Sequence, residues 1–183
     1  MQIKLTTVRL AFPALFEAKT VNGEGKPAFS GSFLIDPKDP QIKTLNAAID
    51  AVAKEKWGAK ADAVLKQMRA QDKVCLHDGD LKEQYDGFAD HFYVSARSAT
   101  RPTVLDRDKS PLVEADGKPY AGCYVNVSLD IWAQDNNYGK RVNASLRGVQ
   151  FAKDGDAFAG GGAASEDEFD DLSEGANAES EFA

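Results

Sequence analysis

The stretch from Gly122 to Phe151 limits the architecture more than any other part of the chain. It reads as two alternating runs on either side of a turn. In the first run, Val125, Val127, Leu129 and Ile131 share one side, and Tyr124, Asn126, Ser128, Asp130 and Trp132 share the other. In the second, Val142, Ala144 and Leu146 lie on one side, opposite Arg141, Asn143, Ser145 and Arg147. Period two is the pattern of a half-buried strand. Asn136, Asn137 and Gly139 supply the turn chemistry of a hairpin with a loop of several residues. The expected product is a ribbon with one apolar face. Its other face carries aromatics, amides and arginines in place of the usual Lys, Glu and Thr.

More strand patterns precede the ribbon. Residues 3–12 alternate until Pro13, and Leu15–Lys19 resume the pattern, which predicts a bent strand or a bulge at the break. Asn22–Pro27 is a glycine-rich turn, which leads to a second strand over residues 28–35. Its Lys26 and glycines could approach a phosphate backbone, although a plain hairpin loop explains them as well. Residues 91–98 alternate again, with Phe92, Val94 and Ala96 facing inward and Tyr93, Ser95 and Arg97 outward.

Between the second and third strands the period changes. Ile42, Leu45, Ile49 and Val52 mark one face of a helix, with Asp39 as cap, Pro40 at its first position and Gly58 as its stop. Trp57 falls at the end of the apolar stripe and is expected in the core. A second helix is expected over about 61–70, with Val64, Leu65 and Met68 as contacts. The fold class is therefore mainly β with a helical insertion over about residues 40–70, an α+β chain.

Residues 72–90 are loop-rich and acidic. Cys75, His77, His91 and Cys123 match no compact zinc spacing, so no metal and no cofactor is expected. The two cysteines are expected to be reduced. No apolar run is long enough for a membrane span, and Met1–Leu5 leads straight into a strand pattern rather than a signal peptide. These features point to a cytoplasmic protein with no membrane partner.

The net charge of −7 is unevenly divided. All 22 Lys and Arg lie at or before Lys153, while ten of the 29 acidic residues follow it, which leaves a body of +3 and a tail of −10. Gly160–Ala164 is linker-like, and beyond it Phe169, Leu172 and Phe182 are the only large apolar residues. We expect a folded body over 1–159 and a disordered acidic tail over 160–183. A tethered polyanion competes with DNA for a basic cleft at high effective concentration. A displaced tail could recruit other proteins through Phe169 or Phe182.

The inferred open faces offer Tyr93, Arg97, Tyr124, Asn126, Trp132, Arg141, Asn143 and Arg147, with Arg101, Tyr138 and Lys140 on nearby loops. Rings to stack on, cations for phosphates and amides for base edges are what a single-stranded nucleic acid requires. One alternative is a metal-dependent nuclease using acids such as Asp78, Asp80 and Asp106. Another is an interaction module that turns the open face toward protein. A homo-oligomer is compatible with either face.

Val8–Glu17, Arg101–Asp106 and the run from Tyr120 through Phe151 resemble the phage and prophage single-stranded-DNA-binding protein family. The resemblance spans about residues 3–160. It implies an OB-fold, a five-stranded partly open barrel, and sequence-tolerant binding of single-stranded DNA in replication and recombination. It also implies no catalytic residues, and replication or recombination proteins as partners of the tail. The acidic tail is similar in kind to those of other phage and bacterial single-strand binders. It departs from them in ending Glu181-Phe182-Ala183, so that Phe182 is not terminal.

Overall fold

The computed structural model describes residues 1–21, 23–158 and 169–173. Among the described residues are seven strands: β1 (Gln2–Val21), β2 (Glu24–Ile35), β3 (Leu76–Asp78), β4 (Phe92–Ser98), β5 (Thr103–Leu105), β6 (Tyr124–Asn136) and β7 (Gly139–Lys153). Helices α1 (Gln41–Trp57) and α2 (Ala61–Ala70) lie between β2 and β3.

The 20-residue β1 serves two neighbours. It runs antiparallel to β6 through Gln2–Arg9 and antiparallel to β2 through Arg9–Val21. To change partners it must bend, and two register shifts, between Leu5 and Val8 and between Ala11 and Ala14, do so. At these shifts Thr7 (φ 52°) and Phe12 (φ 48°) take the left-handed conformation that glycine normally fills. Each such residue costs about 1–3 kcal/mol of local strain. Pro13 has no N–H for the ladder, so the interruption falls where the sequence predicts it. Side chains satisfy the backbone freed at the first bend. The Gln41 amide accepts from Thr6 N at 2.7 Å and donates to Thr6 O at 2.9 Å, and Asn126 Oδ1 accepts from Thr7 N at 3.0 Å.

β2 pairs antiparallel with β4, and β6 with β7. A parallel bridge between Arg97 of β4 and Ser145 of β7 joins the two halves. The order β1-β2-β4-β7-β6 then returns to β1, a closed barrel of five strands with OB-fold topology. β3 extends the sheet beside β4, and β5 adds a parallel edge beside β7.

The alternation of the central ribbon is the alternation of burial. Val125, Val127, Leu129 and Ile131 are 0–1% exposed, and Val142, Ala144 and Leu146 are also buried. Fully burying a side chain of this size contributes about 1.5–3 kcal/mol. Leu129 pairs with Leu146 and Ser128 with Gly148, so Arg147 is the extra residue of a bulge and is displaced outward. α1 buries Leu45, Ala48, Ile49, Val52 and Ala53, and α2 buries Ala61, Leu65 and Met68. Trp57 packs partly buried against the core, and its indole N–H donates to Asp135 Oδ2 at 3.0 Å. Helix α1 starts at Gln41, one residue later than expected, so Pro40 and not Asp39 holds the cap position, with no side-chain cap hydrogen bond of its own. Asp39, one residue before the cap, accepts from Gln41 N at 2.9 Å.

A smaller apolar cluster lies outside the barrel, formed by Ala11, Leu34, Phe88 and Tyr93 with Phe158 packed against it. No helix of the described residues is long and apolar enough to cross a membrane. The body–tail boundary expected at about residue 160 and the tail residue Phe182 both lie outside the described residues. Phe169 is 70% exposed.

Candidate nucleic-acid interface

The floor of a cleft of about 1180 Å³ on the barrel is made mostly of small side chains. Ser30, Gly31 and Ser32 come from β2, Ser95 and Ala96 from β4, and Ala144 and Ser145 from β7. Their small size is what leaves the volume open. Two ribbon ends reach the cleft. The β1–β2 ribbon brings Lys19 and Lys26, and the β6–β7 ribbon brings Gln134, Tyr138 and Arg141. Lys73, from the link after α2, and Arg97 of β4 complete the charge.

Five cations thus line the cleft, and among the described residues no carboxylate lines it. None of the five is held in an ion pair with a described residue. His77 also borders the cleft, but Asp72 Oδ1 is engaged with its Nδ1 at 2.5 Å. Trp132 is 41% exposed, and its indole N–H donates to Ser145 Oγ at 2.9 Å, which fixes the ring against the floor. Tyr138 is 87% exposed at the ribbon tip. Asn143 donates to Gln134 Oε1 at 2.9 Å and Gln134 to Asn136 Oδ1 at 3.2 Å, an amide chain along one side of the cleft.

Of the residues expected on the open face, Arg97, Trp132, Tyr138, Arg141 and Asn143 come together here. The others do not line the cleft. Tyr93 does point away from the barrel core, but the loop after β3 covers it. It is 2% exposed, with Phe88 edge-on at 5.1 Å and His77 stacked at 4.8 Å. Burial, then the Asp72 charge, pushes its phenol pKa up. Asn126 is taken up by the β1 bend. Tyr124 lies under the Lys153 ammonium, 4.7 Å from its ring centroid, and Arg101 lies over Phe16 at 5.6 Å. Lys140 and Arg147 are exposed elsewhere on the ribbon. Lys19, Lys73, Gln134 and Phe12 line the cleft without being among the residues expected from the sequence. Nothing in their local patterns marks them, because the ribbon ends, the link after α2 and the bulge bring them in.

A family profile described as Enterobacter phage Enc34, ssDNA-binding protein, matches residues 1–182. The chain belongs to this family. A relative 51% identical over 177 residues, putative protein p50 of Acyrthosiphon pisum secondary endosymbiont phage 1, covers 94% of this chain and 95% of its own length. The single-stranded DNA-binding protein from bacteriophage Enc34 in complex with ssDNA superposes with a TM-score of 0.73 at 27% identity. That match covers 85% of this chain and 88% of the Enc34 chain. The single-stranded DNA binding protein gp2.5 of bacteriophage T7 shares the fold, with a TM-score of 0.57 at 14% identity over 93% of this chain and 97% of that one.

Within this family member, the acids that a nuclease would use hold loops together. Asp78 accepts from Asp80 N at 3.0 Å, and Asp80 accepts from Asp90 N at 2.8 Å. Asp106 takes the Arg107 N–H at 2.8 Å and pairs with Lys118 at 3.0 Å, and these partners hold its carboxyl below the usual range. Among the described residues no three His, Cys, Asp or Glu side chains converge as a metal-binding group. Cys75 and Cys123 are free and buried, and burial pushes their thiols up to about 12 and about 11 respectively.

Proposed function

We propose that the chain binds single-stranded DNA in this cleft without strong sequence preference and performs no chemical step. The observation that carries the reading is the set of five cations with no carboxylate among them, beside exposed Trp132 and Tyr138. Lysines and arginines neutralise phosphates, and rings accept any base because every base has a π-face. Membership of a family described by single-stranded DNA binding supports the same reading.

In this proposal the protein protects and organises single strands during phage replication and recombination. Its acidic tail, with eight carboxylates after Gly160, competes with DNA for the cleft and, once displaced, recruits partner proteins through Phe169 or Phe182. Titration of a fluorescent oligonucleotide at two salt concentrations, beside its duplex, tests the binding. The expected result is tight binding to the single strand, weaker binding to the duplex, and a steep loss of affinity as salt rises. Absence of binding even at low salt would overturn it and favour a protein-facing module.

A further inference from the structure

The β1 bulge has an effect on the cleft that the cation set does not include. Phe12 sits in left-handed backbone (φ 48°), and between Ala11 and Ala14 the strand carries one residue more than its partner segment Ser30–Ser32. Such a bulge re-aims the side chain it carries. Here it leaves a phenylalanine 52% exposed, bordering the cleft beside Ser30 and Ser32. The ring is braced from behind. Tyr85 meets it edge-on at 5.0 Å and Phe88, itself buried, at 5.8 Å.

From this geometry, and resting on the single-stranded-DNA reading above, we infer that Phe12 is a nucleobase-stacking platform at the β1 end of the cleft. An apolar ring held by two others and left half in water at the rim of a cationic groove has the form of a stacking surface. Along the barrel order β1-β2-β4-β7-β6, Phe12 stands on the first strand and Trp132 on the last. The path between the two rings that follows the cleft floor crosses β2, β4 and β7, although β6 itself pairs with the start of β1. Two rings on either side of that floor would anchor the ends of one bound segment, with the cations of the ribbons and floor between them. The loop that supplies Tyr85 is rich in carboxylates (Asp80, Glu83, Asp86, Asp90). That charge disfavours phosphates near the loop, so at this end of the cleft the contact is with the base.

The left-handed backbone makes the test clean. Glycine and asparagine both tolerate it, so Phe12→Gly and Phe12→Asn remove the ring while relieving strain. The full-length chain and both variants would be titrated with an oligothymidylate of about sixteen nucleotides and with an abasic strand of the same length. The expected result is a melting temperature equal to or above that of the parent, about tenfold weaker binding to oligothymidylate, and unchanged binding to the abasic strand. Phe12→Trp should bind oligothymidylate within about twofold of the parent, because a larger ring still stacks. If both ring-less variants bind oligothymidylate as the parent does, the platform is overturned and the DNA-binding reading stands. Equal losses on both strands would overturn it too, since they would mark a change in cleft shape. A parent chain that binds neither strand would overturn both readings together.

Discussion

The guanidinium carbon of Arg9 stands 4.3 Å from the centroid of the Phe158 ring. The same side chain donates to Gly122 O at 2.9 Å and to Asp156 O at 2.8 Å, and Phe158 N donates to Ala121 O at 3.1 Å. The segment after β7 is therefore strapped back onto β1. Phe158→Ala should lower the unfolding free energy by about 1–3 kcal/mol, combining lost packing with a lost cation–π contact. Urea denaturation measures this directly, and an unchanged midpoint would show that the strap contributes nothing to the fold.

Trp132→Ala should weaken oligonucleotide binding by about 1–3 kcal/mol, the worth of one stacked base. Because the indole is 41% exposed, the melting temperature should change little. Ser145→Ala removes only the 2.9 Å hydrogen bond that orients the ring, and should give a smaller loss. Fluorescence anisotropy on folded variants checks both, and full affinity in Trp132→Ala would assign the ring to packing alone.

Truncation after Gly160 leaves the Phe158 strap intact and removes eight of the ten acidic residues that follow Lys153. The truncated chain should bind single strands more tightly than the full chain at low salt. The gain should shrink as salt screens tail and DNA alike. Equal affinities at low salt would refute competition by the tail.

The two thiols give a pH dependence with a definite sign. Burial raises Cys75 to about 12 and Cys123 to about 11, from 9.0 for an unperturbed thiol. Below pH 9 both states keep the protons, and the stabilising difference is fully present. Above it the unfolded chain releases protons that the native chain retains, so stability falls as pH climbs toward the folded values. The slope per buried thiol is about 1.4 kcal/mol per pH unit at most. Cys75→Ala should flatten the decline between pH 9 and 11 in denaturation curves. Neither thiol should react with iodoacetamide at pH 8 until the protein unfolds.

The sequence reveals those parts of the fold that rest on periodicity. The inward set Val125–Ile131 and the stripe Leu45–Val52 are visible because burial repeats at a fixed interval along one element. The break at Pro13 is visible because proline cannot join a ladder. Tyr93 can be assigned to the outward side of β4 but not to the open surface. Its cover comes from Phe88, in a loop with no period, and a lid of that kind leaves no mark on the strand beneath it. Asn126 has the chemistry to read a base edge, yet it serves the backbone at Thr7, a need created only by the bend in a strand more than a hundred residues away. Lys19, Lys73 and Phe12 reach the cleft through ribbon length, a linker and a bulge, which are properties of the assembled barrel.

Arg97 and Ser145, which join β4 to β7, both border the cleft. The barrel's narrowest seam therefore runs along the surface offered to the ligand. A strand of DNA lying across that floor would act as a splint, touching both sides of the seam at once. Any opening of β4 from β7 would then have to release the ligand first, so occupancy would add to the persistence of the barrel in proportion to RT ln(1 + [L]/Kd). Amide exchange along Phe92–Ser98 and the facing part of β7 would slow with ligand concentration, recording occupancy in the backbone itself.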